Sequence, residues 1–315
     1  MALQLPLALG GGPPSSDKRA SLRNALTAEV PLVLPGVVDA LGAVLVEQAG
    51  FGGVYLTGAG LANTQMAVPD VGIMGFEAVV SQALRTAAVT SLPTVVDVDT
   101  GLGGPTAVMH VVRTMETVGV SGIQMEDQEM PKRCGHFDRK RVVPRGHMQA
   151  KIQAAMAART DPNMIVIART DAVSVEGFDS AIERGKAYRD VGADVVFIEA
   201  PDELDQIERI PREIPDVPLL INIVQGGRTP ELSVQDLAEM GYQVVLHANL
   251  LMRSMVAAGQ RALVDLRQHG TRTEAGGPFL SWQARQELVQ LPTFDELEDH
   301  FMNMWAADGV SGSQQ

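Results

Sequence analysis

The feature that most constrains this chain is a recurring pattern. Short apolar, β-branched runs return along it at 32–34, 53–56, 94–99, 122–126, 164–169, 195–199, 219–223 and 244–247. Runs this uniformly apolar belong to parallel strands covered on both faces, and successive parallel strands need a crossover element between them. Amphipathic helical periodicity supplies it at 76–89, 107–118, 145–158, 181–191 and 251–268. Eight such βα units favour an α/β fold of the closed (β/α)8 TIM-type barrel over an open doubly wound sheet. The open sheet would want a GxGxxG turn after an early strand, and Gly58, Ala59 and Gly60 lack that spacing.

A chain of 315 residues, 45% hydrophobic, can bury one sizeable barrel core. The Gly/Pro/Ser run at 10–16 marks residues 1–20 as a flexible arm and leaves 21–272 for the catalytic barrel. Residues 273–315 then form a C-terminal helical extension, with helices at 281–290 and 294–305 and a frayed tail from 308. Its Trp282, Leu288, Phe301 and Trp305 are large apolar groups for a terminus, which points to docking on a neighbouring subunit and hence to a homo-oligomer, dimer or tetramer.

The net charge of −13 argues against nucleic acid and anionic membranes as partners, since both need basic surface, but leaves room for a small anionic substrate. No run approaches eighteen uninterrupted apolar residues, so no transmembrane helix is expected. One cysteine allows no internal disulfide, and the first twenty residues lack the basic start and apolar stretch of a secretory signal. The cytoplasm is the expected compartment.

Barrel enzymes keep their chemistry at the carboxyl ends of the strands. There this chain carries Asp97 and Asp99, two apart and so on one face of the pleat, followed by Glu126 and Asp127, Arg169 and Asp171, Glu199, Asn222 and His247. Converging carboxylates with no histidine cluster suit a hard cation, which makes Asp97, Asp99 and Glu126 metal candidates. A structural network of helix caps and ion pairs is the alternative for them. Residues 131–136, PKRCGH, form a polar loop too long for a tight βα turn. Lys132, Arg133 and His136 around Cys134 favour a depressed thiol pKa, and Gly135 lets the loop move. A nucleophile, a general acid and an anion-binding loop all remain open on spacing alone. Thr57, Gly58 and Ala59 end the second strand with small residues whose amides can approach a carboxylate, or form a plain turn. Tyr55 points either to the core or to the mouth.

The motifs PKRCGH at 131–136, VDVDTG at 96–101, MEDQ at 125–128, ARTDA at 168–172 and FIEA at 197–200 resemble the isocitrate lyase and phosphoenolpyruvate mutase superfamily over residues 32–272. The Cys-Gly-His loop is that of its lyase branch, which includes 2-methylisocitrate lyase and 2,3-dimethylmalate lyase. The resemblance implies a Mg²⁺-dependent enzyme, with Mn²⁺ as substitute, that cleaves a 2-hydroxy di- or tricarboxylate. Asp97, Asp99 and Glu126 would hold the metal, with Asp70 reaching it through water, while Thr57, Gly58, Ala59 and Arg169 bind the keto-acid product. Cys134 would be the general acid and Tyr55 the base at the substrate hydroxyl. Lys132, Arg133 and His136 would supply positive charge around Gly135, and Glu199, Asn222 and Arg253 would meet the other half of the substrate or the residues that support those contacts.

Some positions depart from the pattern. Thr57 and Ala59 stand where serine and glycine are commoner, and Gln225 stands where many relatives carry glutamate. Phe197 and Leu246 imply a keto-acid product bearing a methyl group, pyruvate rather than glyoxylate. Two other readings compete: a phosphonopyruvate-type mutase or hydrolase, or an oxaloacetate-processing enzyme, on the same barrel; and a barrel that binds metabolites without turning them over.

Overall fold

The computed structural model describes residues 5–135, 137, 139–270 and 279–307, the side chains of the last three excepted. These residues divide into two compact units, one of 13–255 and one formed by the two ends of the chain. The first unit is a closed barrel of eight parallel strands: β1 Leu32–Val37, β2 Val54–Leu56, β3 Thr94–Asp97, β4 Gly122–Glu126, β5 Ile165–Thr170, β6 Val195–Ile198, β7 Leu219–Asn222 and β8 Val244–His247. Each strand pairs with the next, and Leu34 opposite Leu246 joins β8 back to β1. All eight sequence runs are strands, and the expected helices are present within a few residues of their expected ends.

Alternation along these strands creates two cores. Leu34, Val95, Ile167, Val195, Phe197, Leu220 and Val244 face inward and fill the barrel, while Leu56, Val96, Ile123, Val166, Val196, Ile221 and Val245 face outward against the helices. The bottom is closed by the helix Ser15–Ala25, whose Leu22 packs into the inner core. Here the structure differs from the arm expected at 1–20. Residues 15–20 are helical, and Lys18 and Arg19 are buried because their head groups satisfy carbonyls in the last turns of two helices, at Ala87 and Glu116, and just beyond them, at Thr90 and Val120.

Local signals start the helices. Asp39 accepts from the Gly42 amide at 2.7 Å to cap Ala40–Gln48, Pro105 opens Pro105–Thr117, and Ser233 with Asp236 forms a capping box before Val234–Met240. In the second unit, helices Trp282–Leu288 and Leu291–Ala307 lie where the periodicity put them, and the Arg285 guanidinium stacks over Trp282 at 4.0 Å. The tail from 308 lies outside the described residues. Among the described residues no helix is long and apolar enough to cross a membrane.

Candidate active site

Inward alternation carries the last residue or two of each strand into the mouth of the barrel, and there the filling turns from apolar to polar. Tyr55, Thr57, Asp97, Arg169, Glu199 and Asn222 line one cavity, joined by Ala59, Asp70, Lys132, Cys134 and Gly135 from the loops above. The cavity is small, about 40 Å³, and partly open to solvent.

Thr57 to Ala59 prove to be more than a turn. Thr57 caps the helix Gly58–Met66, its Oγ1 accepting from the Gly60 amide at 3.3 Å, so the free amides of Gly58 and Ala59 form a helix N-terminus beside the acids. A Cβ at Gly58 would stand 3.1 Å from Asp97 Oδ2 and 3.3 Å from Asp99 Oδ1, which shows how closely both carboxylates approach the Gly58 backbone.

Asp99 reaches this spot by a different route from the pleat expected for it. Strand β3 ends at Asp97; Asp99 has φ of +50°, its amide donates to Asp97 Oδ1 at 3.1 Å, and its carbonyl accepts from the Glu126 amide at 2.8 Å. A left-handed turn, held from two sides, brings the carboxylates together.

The charge balance follows. Lys132 is almost fully buried; it bonds Asp70 and lies 2.6 Å from Asp99 Oδ1. Burial lowers its pKa, but the carboxylates of Glu126, Asp99, Asp97 and Asp70 outweigh that and hold the ammonium well above its ordinary range. Burial pushes Asp99 up to about 6 against the pull of Lys132, with Asp97 adding to the rise. Glu126 is pushed well above the usual carboxylate range by burial, Arg169 opposing. Tyr55 donates to Gln124 Oε1 at 2.6 Å, and burial followed by Asp97 raises its phenol well above 10.

A second network, behind the first, orients the cations. Asp171 receives Arg169 through both Nε at 2.9 Å and Nη2 at 3.0 Å, and Lys140 at 3.0 Å. Despite burial, Arg169 and Lys140 pull its carboxyl down to about 2. Asp127 accepts from Thr170 at 2.6 Å, Tyr188 at 2.7 Å, Arg184 at 3.1 Å and the Asp171 amide at 3.0 Å. Sequence reasoning named Asp127 and Asp171 as strand-end acids without a task, and it missed Gln124 and Lys140. The inward parity of β4 could have flagged Gln124; nothing local flags Lys140.

The thiol loop is anchored at several points. The Cys134 amide donates to the Asp70 carbonyl at 3.2 Å, and the Gln128 side chain clamps Arg133 through its carbonyl at 2.7 Å and its amide at 2.9 Å. Arg133 is half-buried and does not line the cavity. Arg253 does not line it either: it is exposed and donates to the Gln225 carbonyl at 2.8 Å, because the helix Leu250–His269 starts too far out along the rim. His136 lies outside the described residues.

Among the described residues no three acid, histidine or cysteine side chains form a ready metal cage. Lys132 occupies the space between Asp70 and Asp99 with a single positive charge. Two observations nevertheless fit a divalent cation: Glu126 Oε1 is buried with no hydrogen-bond partner, and Asp99 is held in an environment that resists its ionisation. The donor set suits a hard cation that takes one or two carboxylates and completes its shell with water and substrate oxygens.

Comparison with known proteins agrees with this geometry. The phosphoenolpyruvate phosphomutase family model matches residues 22–267. The chain is 40% identical to a probable 2-methylisocitrate lyase of Corynebacterium glutamicum, covering 89% of this chain and 90% of that one. It is 38% identical to the 2,3-dimethylmalate lyase of Eubacterium barkeri, over 90% and 97% of the two chains. Its fold superposes on a phosphonopyruvate hydrolase solved with oxalate and Mg²⁺ at a TM-score of 0.82 and 31% identity, covering 90% of this chain and 99% of that one.

Proposed function

Because the chain belongs to the phosphoenolpyruvate phosphomutase family, we propose that it is a carbon–carbon lyase dependent on Mg²⁺, or Mn²⁺ in its place. It splits a 2-hydroxy di- or tricarboxylate of the 2-methylisocitrate or 2,3-dimethylmalate type into pyruvate and a second carboxylate. The observation that carries this reading is that Cys134 lines the same cavity as Arg169 and Glu199.

When bound, the cation would be held by Asp97, Asp99 and Glu126, with Asp70 further out, and would polarise the substrate's 2-hydroxyl and adjacent carboxylate. The amides of Gly58 and Ala59, with Thr57 as cap, and the Arg169 guanidinium receive that carboxylate. Tyr55 takes the hydroxyl proton as the phenolate, having first lost its own proton to solvent; burial and Asp97 oppose that loss, and the pull of Arg169 favours it. The oxygen's electron pair becomes the ketone π bond as the carbon–carbon bond breaks, and that bond's electrons pass to the fragment bearing the second carboxylate. The Cys134 thiol delivers its proton to this carbanion, which ends the reaction. Lys132, Arg133 and His136 add positive charge on the loop side, while Glu199 and Asn222, whose Oδ1 is buried without a partner, meet the second half of the substrate. Arg253 acts by holding Gln225 in place. The same reading makes the partner a small anionic carboxylate, with neither nucleic acid nor membrane, and places a homo-oligomer in the cytoplasm.

A panel of 2-methylisocitrate, 2,3-dimethylmalate and related alkylmalates, read by coupled pyruvate detection, should show release with Mg²⁺ and none after EDTA. Silence across the panel sinks the reading. Cys134→Ser should lower kcat by about 100-fold or more in a folded protein. Full activity in that variant favours the second reading, hydrolysis of phosphonopyruvate or oxaloacetate, for which the likeness of the fold to a phosphonopyruvate hydrolase speaks.

A further inference from the structure

Lys140 has no part in the chemistry just described, yet it is a deeply buried cation. Its side chain is 1% exposed and that of its partner Asp171 is fully buried. An ammonium is expensive to bury unless every charge and donor finds a partner. Lys140 Nζ finds two: Asp171 Oδ1 at 3.0 Å and the backbone carbonyl of Gly135, the residue next to the thiol. Asp171 in turn grips Arg169 through both oxygens, and its amide is tied to Asp127 in the barrel wall. Gly135 sits hard against Arg169 and Glu199, for a Cβ there would meet Arg169 Nη2 and fall 2.5 Å from Glu199 Cγ. Position 135 has no room for a side chain, so its contact with Lys140 is made by backbone.

We propose that Lys140 is a positioning residue that latches the thiol loop over the cavity, so that the seating of Cys134 and the orientation of Arg169 rest on one carboxylate, Asp171. The task of the seated thiol rests on the lyase reading; the latch itself is a statement about loop position.

Cys134 is the only cysteine of the chain, so its alkylation by iodoacetamide reports loop position at a single atom. In folded Lys140→Met the alkylation rate should rise about tenfold over the unsubstituted protein, with oxalate and Mg²⁺ protecting the thiol less well. On the substrate that gives pyruvate, kcat should fall about tenfold with KM within about threefold, the signature of a misplaced acid and an intact binding site. Lys140→Gln, which can still donate to the carbonyl without the charge, should fall between. An unchanged alkylation rate in a folded variant overturns the proposal. If Lys140→Met does not fold, Lys140→Gln carries the same comparison, and if neither folds the lysine serves folding and the latch is discarded. Absence of pyruvate from the unsubstituted enzyme would count against the lyase reading alone, since alkylation needs no turnover.

Discussion

At the scale of single residues, two aspartates on the same rim titrate in opposite directions. Asp99 is pushed up to about 6 by burial, so the folded protein binds its proton more tightly than the unfolded chain, and stability from this group falls as pH rises from about 4 through 6. In EDTA, Asp99→Asn should match the unsubstituted protein below pH 4 and exceed it by roughly 1–3 kcal/mol above pH 6, measured by urea unfolding. Asp171 is pulled down to about 2 by Arg169 and Lys140 against burial, so its stabilisation is present above the unfolded value near 4 and disappears as pH falls toward 2. The deficit of Asp171→Asn should accordingly shrink between pH 4 and pH 2. A constant deficit would mean the ion pairs with Arg169 and Lys140 are not its cause. Both acids could be found in the sequence by position at a strand end; the opposite signs could not, because they depend on which cation reaches which carboxylate.

At the scale of elements, the barrel closes through a backbone contact that leaves one residue no choice. The β1 residue Gly36 stands so near the backbone carbonyl of Ala248 that a Cβ would occupy its place, and a backbone carbonyl cannot step aside as a flexible side chain can. Gly36→Ala should cost about 3 kcal/mol or more, visible as a lowered urea midpoint. Gly146, in the helix Arg145–Ala158 with open space around its Cβ position, is the control: its alanine variant should be stabilised by about 0.5–1 kcal/mol through helix propensity. The strand runs were legible because each was apolar and β-branched. The end of β3 was not, since the left-handed turn at Asp99 is stabilised by bonds to Asp97 and Glu126 that no local pattern announces. The helix Ser15–Ala25 was hidden for a related reason: its Gly/Pro/Ser surroundings read as an arm, and only the carbonyls around Lys18 and Arg19 make burial favourable there.

At the scale of the whole molecule, the unit formed by the chain ends presents large apolar groups to solvent, among them Trp282 at 66% exposure and Phe301 at 58%. Large exposed apolar side chains grouped in one unit suit an interaction surface, for which we propose a second copy of the chain as occupant. Light scattering should return a dimer or tetramer, and Trp282→Asp with Phe301→Asp should lower the assembly state. A monomer at micromolar concentration would remove the subunit-docking role from the extension. The charge of −13 is compatible with all this because the site carries its own cations, Arg169, Lys132 and Lys140, sheltered from the acidic surface.

By itself the sequence determined the barrel and the address of its site, for physical reasons that act locally: period-two alternation separates the inner core from the outer, and the same alternation sends Asp97, Arg169, Glu199 and Asn222 into the mouth, whereas the direction of Tyr55 was decided by the tertiary structure. Only the tertiary structure decided how those charges are shared. Lys132 comes to Asp70 from 62 residues away and Lys140 to Asp171 from 31, pairings set by loop paths across the barrel top. Coulomb energy and desolvation depend on distance and burial in space, and neither is encoded in the neighbours a residue has along the chain.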